Sequence, residues 1–258
     1  MNDDVKRILT KIHNASEQGS LSFFVGAGVS MLSGQPSWTD LLNNIKSICD
    51  EVVKHHYAKR NVSISKIIDS VIESRKNYKA EDSKESKCLK RKIVGCNTSS
   101  KDNYAKAQIL FDALELEHSE DKFNDIVKFC FNENAEANDI HDKIVSLNPS
   151  SIITTNFDNL IEKACRRNAE KFVTVASDDE VSLIQGQRFV LKIHGDFEHK
   201  NLVFTEDSYL NYERQFPLLS RMLTSILATN TVVFIGYRQY EVTSANVNSW
   251  IYRVNCRC

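Results

Sequence analysis

No apolar run in this chain approaches the roughly 20 residues that a membrane helix needs, so a helical membrane bundle is not expected. Nor is there an excess of either charge: 33 Lys and Arg face 34 Asp and Glu, for a formal net charge of -1 at pH 7. That balance gives no reason to expect direct nucleic-acid binding or attraction to an anionic membrane. The chain has no C-x-x-C pair. Its seven cysteines (Cys49, Cys88, Cys96, Cys130, Cys165, Cys256 and Cys258) are odd in number and scattered through predicted helices. This distribution suits reduced thiols better than a disulfide framework. Cys256 and Cys258 are too close to form half of a usual zinc ribbon, so no zinc and no other metal site is expected. The N-terminus, Met1-Asn2-Asp3-Asp4, lacks the basic start of a signal peptide, and a cytoplasmic location is the default expectation. There is no internal repeat and no coiled-coil heptad. The 258 residues, 41% hydrophobic and 26% charged, suit one large α/β domain or such a domain with a helical insertion.

Four apolar runs end in glycine or polar residues. The run 21–25 stops at Gly26-Ala27-Gly28-Val29-Ser30, where nothing larger than a methyl group stands between the glycines and a ligand could approach the main chain closely. A Gly-x-Gly turn after a strand follows the logic of a dinucleotide pyrophosphate site, although Met31 occupies the place of the third glycine of the usual fingerprint. On its own an ordinary tight turn explains it as well. The second run, Ser151 to Thr155, leads into Asn156-Phe157-Asp158. The third, Phe189 to Ile193, leads into His194-Gly195-Asp196, and the fourth, Thr231 to Ile235, into Gly236-Tyr237. Ligands of open parallel sheets bind outside the carboxyl ends of the strands, so the four ends point to one site.

The remaining pattern places these runs in a Rossmann-like α/β fold: a mostly parallel sheet with covering helices and a helical insertion, about residues 38–148, between the first two strands. A helix is predicted over 3–18, with Val5, Ile8, Leu9 and Ile12 at helical spacing, and a loop over 26–37. Further helices are predicted from Trp38 onward, over 62–76, 104–117, 120–133 and 137–147. After residue 151 strands and helices alternate: strand 151–155, helix 157–168, strands 172–175 and 189–193, a short strand near 202–205, helix 217–229 and strand 231–235. The whole chain, 1–258, reads as a single domain. The charged stretch 79–87 reads as a solvated excursion, and the tail 238–258 has no assigned role.

Taken in order, Gly26-Ala27-Gly28-Val29-Ser30, Gly34-x-Pro36, Thr154-Thr155-Asn156-Phe157-Asp158, Lys192-Ile193-His194-Gly195-Asp196 and Phe234-Ile235-Gly236-Tyr237 resemble a sirtuin-like NAD-binding domain, in particular the branch found in prokaryotic antiviral defence. The resemblance implies an NAD hydrolase that cleaves the nicotinamide–ribose bond, with NAD as substrate and with control by oligomerisation or a partner subunit. It implies catalytic roles for Asn156, His194 and Asp158, and cofactor contacts from Gly26, Ala27, Gly28, Ser30, Pro36, Thr155, Gly195, Gly236 and Tyr237. Three departures separate the chain from sirtuin deacylases: no cysteine stands between Cys165 and Cys256, Ser37-Trp38-Thr39 replaces the usual Asp-Phe-Arg, and Asp196-Phe197 follows the His-Gly pair. Arg238 stands where the family carries Ser or Thr, which leaves open a non-catalytic module that senses NAD or ADP-ribose and gates a partner.

Each site residue also has a plainer reading. Asn156 could cap the helix expected to begin near Phe157. Asp158 is favourable in any first helical turn, and His194 could be a satisfied strand-end histidine. Trp38 reads better as a packing aromatic than as a site residue, and His141 and His199 lack companions that would argue for a metal.

Overall fold

The computed structural model describes residues 3–58, 64–78, 103–114 and 120–237. Five strands, β1 (Leu21–Val25), β2 (Ser151–Thr154), β3 (Val173–Val175), β4 (Phe189–Lys192) and β5 (Thr231–Ile235), form one sheet in the order β3-β4-β2-β1-β5. Every adjacent pair is parallel, and helices flank the sheet, giving the Rossmann-like α/β arrangement that the alternation of runs predicts. β1 and β2 are buried along their whole length, which is why they read as near-continuous apolar runs rather than alternating ones. The polar exceptions are paired: the buried Ser22 hydroxyl meets that of Ser151 at 2.7 Å and accepts from Asn230 Nδ2 at 2.8 Å, as buried polar groups require.

Side chains alternate across the strands, so Leu21, Phe23 and Val25 share a face with Ile152 and Val190. Ala15 of the helix Asp3–Glu17, Ile144 and Val145 of the helix Asp139–Ser146, and Ile161, Ala164 and Cys165 of the helix Leu160–Arg167 close that core.

The described residues fall into two compact units. The first holds the sheet and takes in the chain up to Ser37, Asn132–Val203 and the chain from Leu210 onward; the second is Trp38–Phe131 with Phe204–Tyr209. The second unit is helical: Trp38–Ala58, Ile64–Tyr78, Asn103–Leu114 and Glu120–Phe129, with Glu206–Leu210 beginning in it. Its interior includes Ile45, Ile48, Ile68 and Ile126. Trp38 packs edge-on against Tyr104 and Phe204, with ring centroids 5.6 and 4.8 Å away, so it is a packing aromatic.

Three differences from expectation lie around the strand ends. The stretch 26–37 contains a short helix, Ala27–Met31. The helix after β2 begins at Leu160 rather than near 157, because residues 155–158 turn and Asp158 Oδ1 accepts the Leu160 N–H at 3.1 Å. Residues 202–205 form no strand, although the Val203 N–H reaches the His194 carbonyl at 2.9 Å. The charged stretch 79–87 and the tail 238–258 lie outside the described residues. Among the described residues no helix is long and apolar enough to cross a membrane.

Candidate functional site

Strand register gathers the site. Ile235 pairs with Val25, Val25 with Thr154, and Thr154 with Lys192, so one row crosses the sheet through the last residues of β5, β1, β2 and β4. Immediately beyond that row lie Gly236-Tyr237, Gly26 to Ser30, Thr155 to Asp158 and His194 to Asp196. All belong to the sheet-bearing unit.

The end of β1 is built against the end of β5. Gly26 N–H donates to the Ile235 carbonyl and Gly28 N–H to the Gly236 carbonyl, both at 2.9 Å. A Cβ on Gly28 would stand 2.6 Å from the Gly236 oxygen, and one on Gly236, whose φ is +80°, would stand 2.7 Å from the Gly26 oxygen. These glycines therefore serve first to let two strand ends touch. Two of the three loop amides that the resemblance assigns to a pyrophosphate are committed to this contact, and Ala27 is the exposed member of the three. Tyr237 completes the junction: its hydroxyl lies 2.8 Å from Thr155 Oγ1, and its ring covers Gly26. Pro36 lies further along, next to Gln35, which exchanges hydrogen bonds with the main chain of Asn132 at 3.1 and 3.0 Å.

Asn156 is 7% exposed. Its Nδ2 donates to Ser30 Oγ at 3.0 Å and its N–H to Thr154 Oγ1 at 3.0 Å, while its Oδ1 is buried without a hydrogen-bond partner. It does not cap the following helix, whose N-cap is Asn159. A buried amide oxygen left unpaired costs about 1–3 kcal/mol, so each such exception calls for an explanation, a catalytic role or an ordered water or ion among them. Ser30, itself 2% exposed, accepts through its oxygen and keeps its proton to give.

His194 follows β4, its ring centroid 6.5 Å from that of Phe157. Burial pushes its pKa down to about 4, so the ring is neutral at pH 7 and can accept a proton. Gly195 holds a left-handed turn with φ +73°, and a Cβ there would lie 2.3 Å from the Asn201 oxygen. Asp196 is 6% exposed and accepts from the main-chain N–H groups of Glu198 (3.0 Å) and His199 (2.9 Å) and pairs with His199 Nδ1 (2.8 Å). Burial works to raise its carboxyl, but the hydrogen bonds from His199 and the nearby Lys192 ammonium outweigh that and hold it below the ordinary carboxylate range. His199 Nε2 meets Glu180 Oε1 at 2.9 Å. Burial lowers the His199 pKa, but its two carboxylate partners more than offset this and leave it raised.

Sequence reasoning gave no site role to two residues. Lys192 is buried and charged among these ends. His141 is 1% exposed, its Nδ1 accepts the Asn138 N–H at 3.2 Å, and its Nε2 is buried without a partner. Asn138 in turn donates to the Val29 carbonyl and to Ser33 Oγ, each at 2.9 Å, which ties the helix Asp139–Ser146 to the glycine turn. Asn138-x-x-His141 was visible as a capping signature, but His in the place of the usual Glu or Gln disguised it. Among the described residues no group of three or more His, Cys, Asp or Glu side chains is arranged to hold a metal ion.

A parallel sheet whose register-aligned carboxyl ends carry a glycine turn, a buried amide and a neutral histidine defines a Rossmann-like α/β domain with its polar residues gathered at one edge. The family model for the SIR2-like domain matches residues 150–255 of this chain. Defense-associated sirtuin 2 of Bacillus subtilis is 31% identical over 260 residues, covering 98% of this chain and 21% of that relative. NAD(+) hydrolase ThsA of Enterococcus faecium is 25% identical over 265 residues, covering 98% of this chain and 45% of its own length. ThsA of Cytobacillus dafuensis is 23% identical over 240 residues, with 92% and 39% covered. The chain spans between about a fifth and somewhat under half of the length of these curated relatives.

Proposed function

We propose that this chain is an NAD hydrolase domain that cleaves the nicotinamide–ribose bond to nicotinamide and ADP-ribose, and that it acts in antiviral defence by depleting NAD. The observation that carries this reading is the buried Asn156 amide, held by Ser30 with its oxygen unpartnered, beyond the same row of strand ends as a neutral His194. Both the orphaned acceptor and the glycine-lined junction suit a nicotinamide dinucleotide.

The leaving group is a cationic pyridinium, so the bond breaks without an acid, and positive charge develops at the anomeric carbon. A neutral imidazole does not repel that charge and can take a proton from the nucleophile. The unpaired Asn156 oxygen would hold an O–H, from a ribose hydroxyl or from the attacking water. Asp158 uses Oδ1 in its local turn, and its other oxygen would serve the carboxamide. The Ser30 proton and the Ala27 N–H would meet phosphate or ribose oxygens.

The test is nicotinamide release from NAD. The wild-type chain is expected to release it, and Asn156→Ala and His194→Ala each to slow release by about a hundredfold or more. Wild-type rates in both variants would remove these residues from the chemistry. The commitment of the Gly26 and Gly28 amides to β5, with Tyr237 over the turn, supports a second reading: a resting module that binds NAD or ADP-ribose and gates a partner or further subunit. Tight NAD binding with no product over hours would favour it. The deacylase alternative would require acetyl-peptide turnover coupled to NAD consumption.

A further inference from the structure

Lys192 ends β4 with its side chain 2% exposed. A buried ammonium is tolerated only when its protons are matched. This one has three protons and three acceptors: the Asp158 carbonyl at 2.7 Å, Glu162 Oε1 at 3.1 Å and the Phe157 carbonyl at 3.4 Å. Asp196 Oδ2 adds a carboxylate at 4.0 Å. With every N–H direction taken by protein, the ammonium keeps no donor for a substrate and no lone pair for covalent chemistry. Its partners are instead structural parts of the site. The two carbonyls belong to the turn directly after Asn156, Glu162 to the first turn of the helix Leu160–Arg167, and Lys192 itself to the strand that carries His194 two residues on. Lys192 also pairs in register with Thr154, whose hydroxyl takes the Asn156 N–H.

We infer that Lys192 is a positioning residue that staples the β2 turn to the end of β4 and so fixes the Asn156 amide relative to His194. The inference rests on the NAD-cleaving reading proposed above. Three carbonyl and carboxylate oxygens converging on one point suit a compact tetrahedral ammonium and do not suit the planar fork of an arginine. Glu162 and Asp196, with side chains 13% and 8% exposed, balance the charge, so the device adds no net positive field beneath a reaction that itself generates a cation.

Removing Lys192 alone would strand the Glu162 carboxylate, so the test replaces the pair in the full chain. Lys192→Met combined with Glu162→Gln is expected to fold, because a neutral replacement of similar volume often preserves stability. Lys192→Leu with Glu162→Leu covers the case in which the first pair does not fold. In a folded double variant the glycine turn and the β5 end are untouched. Its KM for NAD and its affinity for ADP-ribose by calorimetry are therefore expected within about threefold of wild type, while kcat falls about a hundredfold, the effect of an ångström-scale misplacement of reacting groups. A folded double variant with wild-type kcat would overturn the inference. If the wild-type chain releases no nicotinamide, the NAD-cleaving reading fails, and the role of Lys192 is read by NMR from the Asn156 side-chain amide. Slowed exchange in the wild type that is lost in the double variant supports the staple, and identical signals in the two overturn it.

Discussion

A methyl group added at position 28 would meet the Gly236 carbonyl oxygen at 2.6 Å, a distance that real Cβ contacts do not show. Gly28→Ala is therefore expected to cost about 1–3 kcal/mol, the range for overpacking a closed contact, readable by chemical denaturation. Gly195→Ala adds left-handed strain to a 2.3 Å clash and is expected to cost more than Gly28→Ala. The sequence marked these glycines by their position after apolar runs and offered ligand approach or an ordinary tight turn as their reason, not a contact between two strand ends. That two strand ends approach each other through Gly28 and Gly236, 208 positions apart, depends on pairing that no local pattern encodes. The same holds for Asn156: its residue type and place were readable, its Ser30 partner was not. Lys192 was readable in principle, because a charge closing a buried strand must be matched. For His194, a pKa lowered to about 4 means that kcat/KM is expected to show no acid limb from this group near its ordinary value, but one near pH 4. A pH–rate profile falling at about pH 6.5 would contradict that assignment.

Among the elements, the helix Asp139–Ser146 adds a second anchor for the glycine turn beside β5, through its N-cap Asn138. The Asn138 Oδ1 accepts the N–H groups of Ile140 and His141 at 3.0 and 3.4 Å, while its Nδ2 reaches Val29 and Ser33. Asn138→Ala removes a cap and a tether together and is expected to cost about 1–2 kcal/mol in denaturation, the upper range for a cap. It is also expected to weaken ADP-ribose binding. The elements legible in sequence were those carried by a continuous apolar run or a clear period: β1, β2, β5 and the helix Pro217–Thr229 lie where the apolar runs put them. Ala27–Met31 was missed because five residues are too few to show a helical period. The run 202–205 was misread because Val203 and Phe204 are buried without being paired in the sheet.

At the scale of the molecule, the fold class followed from alternating strands and helices, whereas the order β3-β4-β2-β1-β5 and the register could not be read from local patterns. Stability against pH is likewise a sum over distant groups. His194 and His141 have folded pKa values lowered by burial. Unfolded histidine takes up its proton near pH 6.5, so each group lowers stability as pH falls below that value, for His194 through a window reaching about pH 4. His199 is raised by Asp196 and Glu180, so its contribution is complete below pH 6.5 and is lost as pH rises through its folded pKa. In melting curves against pH, His194→Asn is expected to flatten the acid-side loss and His199→Gln to flatten the loss on the other side. Equal slopes in wild type and variants would contradict both assignments.

The most direct measurement is a crystal structure of the Asn156→Ala variant, slowed enough to retain intact substrate, soaked with NAD. The expected result is a dinucleotide lying across the ends of β1, β2, β4 and β5, with its nicotinamide ribose between position 156 and His194. A dinucleotide bound elsewhere, or side chains still packed across those ends at saturating NAD, would contradict the account.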